Sequence, residues 1–198
     1  MKYHYDIKQN TPEWLAIRMG KFTSSMFADL FMAKSTSGYK SAINRVVFER
    51  LTGEVPESFS NKATDRGHEL EPIAREDYEL RTFNKVKLVG FVEMNEWVGA
   101  SPDGLIGDDG SFQAKCPFGG TLIDYYLKDE IPSDYMYQMQ GELLITCRKW
   151  VDYYCYHPKL RPILKRVYRD EKMIDEINRK LEESISEVEK RISQIKKG

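Results

Sequence analysis

The chain has 198 residues, of which 41% are hydrophobic and 31% charged, a composition typical of a globular protein of one domain. No apolar run approaches the roughly 20 residues that a membrane-spanning helix needs. Residues 1–6 lack the apolar core of a signal peptide, so we expect a cytoplasmic protein with no membrane contact. The three cysteines are too few and too scattered for a disulfide framework or a zinc site. The formal net charge of −1 neither indicates nor excludes nucleic acid, because basic and acidic residues can lie on different faces.

The first part of the chain predicts helices. Thr11 is typical of an N-cap and Pro12 of a first helical position, so a helix is expected from there to about Gly20. Residues 23–25, Thr-Ser-Ser, predict the cap of a second helix with an apolar side. Two more helices are predicted over residues 39–51 and 62–81, although Gly67 and Pro72 interrupt the pattern of the latter.

After residue 85 the hydrophobic pattern changes to one typical of β-strands. Short apolar segments separated by turn residues predict an antiparallel meander. These segments are residues 86–93, 97–101, 104–107 and 111–116. Helices are then predicted over residues 121–128 and 133–146, and strands over residues 150–157 and 163–168.

Residues 171–197 predict one long amphipathic helix, with apolar residues at steps of three and four. Such a helix can form a coiled-coil seam or pack on its own domain, and about three heptads favour the second interpretation. The elements together predict an α/β (α+β) fold, with a central mixed β-sheet flanked by helices. We expect a single domain over residues 1–198, with a core over about residues 11–169.

Asp103 lies between Pro102 and Gly104, at the junction of two predicted strands. From these letters alone an ordinary turn is the favoured interpretation. A carboxylate at such a junction can also face a cleft, and a Glu at position 113 of a neighbouring strand could share Mg²⁺ with it. Lys115 would face the same side as position 113, where it could position water or stabilise charge on a phosphate. Two carboxylates and a lysine so arranged are typical of a metal-dependent phosphodiesterase.

Four motifs, in order, resemble those of the phage lambda exonuclease group, the YqaJ-like viral recombinases of the PD-(D/E)xK nuclease superfamily. The similarity covers about residues 11–159 and implies a restriction-endonuclease-like core. The motifs are residues 14–20 with Thr23-Ser24-Ser25, residues 66–74, Ser101-Pro102-Asp103-Gly104 with Lys115-Cys116-Pro117, and residues 135–140.

The resemblance implies a metal-dependent catalytic centre. In such enzymes Asp103 and the residue at position 113 would ligate Mg²⁺, with Mn²⁺ as an alternative, and Glu71 would help to hold a second ion. Lys115 would be the catalytic lysine. Gln138 would orient that lysine or the attacking water, although it could instead only bridge packed helices.

The resemblance also implies contacts with a DNA end. Arg18 and Ser25 would hold the 5′-phosphate, Ser101 would contact the scissile region and Tyr135 would line the active site. A guanidinium grips a phosphate with two hydrogen bonds, although Arg18 could also make an ordinary surface salt bridge. The family digests duplex DNA from the 5′-terminated strand, releases mononucleotides and leaves a 3′ overhang for a single-strand annealing protein. Members often form a ring-shaped trimer around the DNA.

Position 113 departs from the family pattern, because Gln stands where the motif has Glu. Gln has nearly the same shape but no charge, and Mg²⁺ strongly prefers anionic oxygens. An engineered inactive variant and a natural homologue of reduced activity are both compatible with this change. The otherwise intact site (Asp103, Lys115 and Glu71) favours engineering. We therefore expect binding of DNA ends with poor cleavage.

Two other functions stay open from the sequence. A related PD-(D/E)xK endonuclease would cut a covalently closed circle, which an end-dependent enzyme leaves intact. A DNA-end-binding module without catalysis gains support if Gln113 is natural.

Overall fold

The computed structural model describes residues 1–56 and 62–197. The helices are α1 (Pro12–Arg18), α2 (Phe27–Leu30), α3 (Ser37–Thr52), α4 (Lys62–Thr82), α5 (Gly119–Lys128), α6 (Ser133–Thr146) and α7 (Glu171–Lys197), with a 3₁₀ turn over Ser24–Met26. The strands are β1 (Lys2–His4), β2 (Phe22–Thr23), β3 (Val86–Lys87), β4 (Phe91–Glu93), β5 (Val98–Ala100), β6 (Gly104–Ile106), β7 (Gly110–Lys115), β8 (Trp150–His157) and β9 (Leu160–Tyr168).

The helix predictions are confirmed for α1, α3, α4, α5, α6 and α7 to within about two residues at each end. Thr11 caps α1, since its hydroxyl accepts a hydrogen bond from the Trp14 N–H. The predicted cap over residues 23–25 is correct in position, since Thr23 is the N-cap residue of the 3₁₀ turn that leads into α2, but the Thr23 hydroxyl makes no capping hydrogen bond. Thr23 ends strand β2, and Ser25 lies in the 3₁₀ turn. The Thr23 hydroxyl bonds to side chains rather than to the helix backbone.

The strands form two mixed sheets. One has the order β1-β4-β5-β2, in which only the β2–β5 pair is parallel. The other has the order β3-β6-β7-β8-β9, in which only the β7–β8 pair is parallel. The fold is therefore mixed α/β, as predicted, but with two sheets in place of one.

The predicted meander is wrong because residues 86–93 do not form one strand. The chain leaves β3 in the five-stranded sheet and enters β4 in the four-stranded sheet. At the crossing the Gly90 N–H donates to the His4 carbonyl. A Cβ on Gly90 would lie 2.0 Å from the Ile7 carbonyl oxygen, so only glycine allows this close approach of the N-terminal segment.

Helix α6 packs between the two sheets. It contacts β4 and β5 of the first sheet, β8 of the second, and helices α2 and α7. Residues 139–146 are all buried, and a Cβ on Gly141 would come within 2.4 Å of the Phe27 ring. This close packing holds α6 firmly against the middle of the molecule.

The C-terminal helix packs on its own fold, as the sequence favoured. Helix α7 contacts α2, α3 and α6, and it buries one stripe of side chains. The stripe consists of Ile174, Ile177, Leu181, Ser184 and Val188. None of the helices that the structure describes is long and apolar enough to cross a membrane.

Candidate active site

Asp103 is held at the start of β6 by the strand beside it. Gly104 pairs with Phe112 of β7, and the Ala114 N–H donates to Asp103 Oδ2 at 2.8 Å. A Cβ on Gly104 would lie 2.1 Å from a methyl group of Val86, so glycine at this position allows the close packing of β6 against β3. The turn therefore fixes one carboxylate oxygen against the backbone of β7.

The side chains of strand β7 alternate between its two faces. Phe112 and Ala114 pack into a hydrophobic cluster on one side. Gln113 and Lys115 face the other side and line the cleft that Asp103 also lines. Gln113 is buried, whereas Lys115 is half-buried, so the ammonium group stays within reach of solvent.

Gln138 of α6 joins the polar groups of β7. Its carbonyl oxygen accepts from Lys115 Nζ at 3.1 Å, and its amide nitrogen donates to Gln113 Oε1 at 3.0 Å. The Gln113 amide nitrogen in turn donates to Asp103 Oδ2. Gln138 therefore contacts Lys115 directly, as expected of a residue that orients the lysine. Gln140, by contrast, only bridges α6 to Tyr168 and Asp170.

Glu142 is a member of this network that the sequence analysis missed. It lies one turn after Gln138, whose amide nitrogen donates to Glu142 Oε1 at 3.2 Å. Its side chain is fully buried, and Oε2 has no hydrogen-bond partner among residues 1–56 and 62–197. The available signal was a lone acid within the apolar run Leu143-Leu144-Ile145, four residues after Gln138.

Glu71 reaches the same cleft from α4, which runs through Pro72 without a break. Burial raises the pKa of its carboxyl group, while the charges of Arg75 and Lys115 oppose the rise. Glu71, His68 and Asp103 also line a second cleft, which the N-terminal residues 5–10 border on the other side. The two clefts, of about 520 and 570 Å³, therefore meet at these residues.

The carboxylates of this region repel one another. Burial and the charge of Glu71 raise the pKa of Asp103 to about 7. Burial and the charge of Asp103 raise the pKa of Glu142 to about 8. Lys115 lowers the pKa of all three groups without balancing them. We call this region, with Gln113 and Gln138, the acidic cleft.

An excess of buried negative charge is what a divalent cation neutralises. Within the described ranges no three His, Cys, Asp or Glu side chains are grouped tightly enough to form a ready-made metal site. The donor chemistry still fits a hard cation, since Asp103 and Glu71 offer carboxylate oxygens, although the Gln113 amide turns its nitrogen to Asp103 and its oxygen to Gln138. The raised pKa of Asp103 is the observation that supports this fit.

Arg18, Thr23 and Ser25 form a second polar group, which we call the arginine pocket. Arg18 Nη2 donates to Thr23 Oγ1 at 3.4 Å, and Thr23 Oγ1 lies 3.2 Å from Ser25 Oγ. Arg18 Nε has no partner in the part of the chain that the structure describes. Burial and the nearby charge of Arg45 lower the pKa of Arg18 to about 10, so the side chain is a cation at neutral pH.

Arg18 makes no salt bridge in the described residues, so that alternative for its role is not observed. Glu49 lies near enough to act on its pKa, but its carboxylate bonds to Arg45 and to the Gly20 N–H. A buried guanidinium beside two hydroxyl groups is a suitable site for a phosphate. Ser25 is exposed, so the pocket is open to a ligand.

Trp14 connects the arginine pocket to the acidic cleft. The Arg18 guanidinium stacks on its ring at 3.7 Å. Its indole N–H donates to Gly90 O at 3.0 Å and to Ser101 Oγ at 2.9 Å. Ser101 is two residues from Asp103, so one side chain fixes the two regions relative to each other.

Tyr135 lies beneath the lysine of the cleft. Lys115 Nζ is 4.7 Å from the centre of its ring, a distance that allows a cation–π contact. Burial raises the pKa of the phenol, so Tyr135 is neutral at physiological pH. The structure thus brings Asp103, Gln113, Lys115, Gln138, Glu71 and Tyr135 to one cleft, and Arg18, Ser25 and Ser101 to the Trp14 side.

A sequence profile of the YqaJ-like viral recombinase domain matches residues 13–149, more than half of the chain. Among curated proteins, none matches the chain. The crystal structure of an alkaline exonuclease (LHK-Exo) from Laribacter hongkongensis has a TM-score of 0.87 at 34% identity, over 94% of this chain and 97% of that one. Its complex with dAMP has a TM-score of 0.88 at the same 34% identity. A phage-related exonuclease from Haemophilus somnus 129PT shares the fold, with a TM-score of 0.68 at 20% identity over 88% and 96% of the two chains.

Proposed function

Because the chain belongs to the YqaJ-like viral recombinase family, we propose that it is a metal-dependent exonuclease that digests double-stranded DNA in the 5′→3′ direction. The family and the exonuclease relatives support a recombination-related DNA exonuclease. One observation carries the finer proposal: Trp14 links a free cationic pocket to a cleft with excess negative charge. A DNA end with a 5′-phosphate would span these two regions.

The acidic cleft would hold the metal. Asp103, Glu71 and Gln113 are the proposed ligands for Mg²⁺, with Mn²⁺ as an alternative. When bound, the cation supplies polarisation of the scissile phosphate and neutralises its charge. Asp103 is suited to this role because its carboxylate already carries an unfavourable charge that a cation would relieve.

Lys115 would act on the reacting phosphate. Its ammonium group lines the cleft and is fixed between the Gln138 carbonyl and the Tyr135 ring. A fixed cation there stabilises negative charge that develops on the phosphate oxygens, or positions the attacking water. Gln138 and Tyr135 are positioning residues, since they act through the lysine.

The arginine pocket would set the direction of digestion. Arg18 and Ser25 would bind the terminal 5′-phosphate, and Ser101 would contact the strand near the scissile bond. A grip on the 5′-phosphate leaves the next phosphodiester in the cleft, so each cut would release a 5′-mononucleotide. The relative that binds dAMP, a nucleoside monophosphate, supports this product class.

The proposed reaction leaves a 3′ overhang, which a single-strand annealing protein would bind. A ring-shaped trimer around the duplex would keep the enzyme on its substrate over many cuts. We propose that the protein works in the cytoplasm of a bacterial host, where phage or prophage DNA recombines. These partners and this location rest on the family.

Gln113 favours a second candidate function, binding of DNA ends with impaired cleavage. The Gln113 amide nitrogen donates to Asp103, so this side chain offers Asp103 a donor in place of a second negative charge. In that case the chain is an engineered or natural variant that retains the end-binding surface.

Digestion of linear and circular DNA tests the proposal. The chain is incubated with Mg²⁺ and either a linear 5′-phosphorylated duplex or a covalently closed circle, with chelator controls and a Lys115→Ala variant. Release of mononucleotides from the linear DNA alone supports the exonuclease. Cutting of the circle would indicate an endonuclease. Tight binding of ends without any product supports the second candidate.

A further inference from the structure

Glu142 is in an environment that a carboxylate normally avoids. It is fully buried on α6, between Gly141 and Leu143, and Oε2 has no partner within the described residues. Its one polar contact is the Gln138 amide at 3.2 Å from Oε1. A buried carboxylate with a free oxygen is costly unless a proton or a cation compensates for it.

The neighbours of Glu142 belong to the acidic cleft. The Gln138 amide nitrogen donates to both Glu142 Oε1 and Gln113 Oε1, at 3.2 and 3.0 Å. Gln113 and Glu142 are therefore the two acceptors of a single amide group. One of them is neutral and stands where a metal-dependent nuclease of this type would have an acid. The other is a carboxyl group on helix α6, which becomes an anion when it loses its proton.

We propose that Glu142 supplies to the metal site the negative charge that Gln113 lacks. The inference rests on the proposed metal-dependent nuclease function and changes its expected outcome. The acid lies on helix α6 and not on strand β7, and it contacts the same Gln138 amide as Gln113 does. Glu142 does not line the cleft itself, so its charge acts on the metal site through the Gln138 amide. The chain as it stands then keeps its cation affinity and its ability to cut DNA, in contrast to the impaired cleavage expected from Gln113 alone.

A charge swap tests the proposal with the full chain. The unaltered protein is compared with Glu142→Gln, with the double variant Gln113→Glu/Glu142→Gln, and with Glu182→Gln, an exposed change on α7 as matched control. Calorimetry measures Mg²⁺ and Ca²⁺ binding without DNA, so the first readout does not depend on catalysis. Circular dichroism and thermal unfolding confirm that each variant is folded.

We expect Glu142→Gln to weaken Mg²⁺ binding by about 10–100-fold. The double variant should return to within about threefold of the unaltered protein, because it restores one acid beside the Gln138 amide. Glu182→Gln should bind as the unaltered protein does. A purely structural role for Glu142 would leave cation binding unchanged in the single variant, and that result would overturn the proposal. So would a double variant that is folded but binds no better than Glu142→Gln.

Nuclease assays on linear duplex DNA separate this inference from the proposed function. If cation binding follows the charge swap but none of the proteins cuts DNA, Glu142 is the charge donor and the exonuclease proposal fails. If the unaltered protein and Glu142→Gln cut equally well and bind Mg²⁺ equally tightly, the exonuclease stands and the role of Glu142 falls.

Discussion

Burial acts in opposite directions in the two polar regions of this protein. In the acidic cleft it raises the pKa of Asp103 to about 7, whereas in the arginine pocket it lowers the pKa of Arg18 to about 10. Each region holds charge that its own neighbours do not balance. The cleft is suited to a cation and the pocket to a phosphate, and Trp14 fixes the distance between them. A protein that only needed stability would have paired these charges.

The largest effect on activity should come from a substitution in the acidic cleft alone. Lys115→Ala removes the cation that faces the reacting phosphate, so we expect cleavage of linear duplex DNA to fall about 10²–10⁴-fold. End binding should change little, because the arginine pocket is intact. Gel-shift and nuclease assays on the same DNA check both parts. Lys172→Ala, an exposed change on α7, is the control, and an equal loss in both variants would contradict the assignment.

The effect of a substitution in the arginine pocket alone should depend on whether the DNA end carries a 5′-phosphate. Arg18→Ala removes charged hydrogen bonds to the 5′-phosphate, so digestion of 5′-phosphorylated DNA should fall about 10–100-fold. Digestion of DNA with a 5′-hydroxyl should change much less. Arg18→Lys should recover only part of the activity, since an ammonium group lacks the two-pronged geometry of guanidinium. Arg179→Ala is the exposed control on α7, and an equal loss on both kinds of end would show that Arg18 does not read the phosphate.

Cation binding in the acidic cleft should depend on pH. The cation needs the Asp103 carboxylate deprotonated, and its pKa is about 7 in the metal-free protein. Mg²⁺ affinity should therefore rise by up to about tenfold per pH unit from pH 6 to 7, and it should level off only above about pH 8, the pKa of Glu142. Calorimetry at several pH values measures it, and a flat profile would mean that Asp103 is already ionised at pH 6.

The same carboxyl group should affect stability without metal. Its pKa is higher in the folded protein than the ordinary value near 3.9, so the folded state binds the proton more tightly than the unfolded state. The free energy of unfolding should then fall as the pH rises from about 4 to 7, and Mg²⁺ should restore it. Thermal unfolding with and without Mg²⁺ checks both signs. A metal-free protein whose stability increases over this range would contradict the raised pKa.

The smallest effect should come from a substitution of Trp14, which connects the two regions. Trp14→Phe keeps a ring beneath Arg18 but removes the indole N–H bonds to Gly90 and Ser101. We expect a loss of about 1 kcal/mol in the free energy of unfolding and a fall of several-fold in activity. Denaturant unfolding and nuclease assays measure the two losses. Unchanged activity in a destabilised variant would show that Trp14 serves the fold and does not align the two regions.

The sequence predicted those parts of the site that lie in short local patterns. The local pattern places Asp103 in a Pro-Asp-Gly turn and Lys115 on the same strand face as position 113, and Thr11 marks the start of α1, whereas the roles of Asp103 and Lys115 were expected from the family resemblance. Glu142 does not follow, because its link to the site runs through Gln138 to Gln113, which lies far away in sequence and on another element. A lone acid in an apolar helix gives no sign of which groups surround it. The site therefore depends on packing of α6 against β7 and β8, which no local pattern encodes.

The division into two sheets escaped prediction for a similar reason. Residues 86–93 carry a strand pattern throughout, and only the contact between Gly90 and the N-terminal segment redirects the chain. Strand β1 provides that contact, and its pairing with β4 joins residues about ninety positions apart. Long-range pairing of this kind leaves little trace in either segment alone.

A duplex that carries a 5′-phosphate on one strand and a 5′-hydroxyl on the other tests the link between the two regions most directly. Each strand carries its own label, and the released mononucleotides are counted with Mg²⁺ present. We predict that the phosphorylated strand is digested from its 5′ end while its complement persists as a single strand. Equal digestion of both strands, or digestion that begins at a 3′ end, would contradict the joint action of the arginine pocket and the acidic cleft.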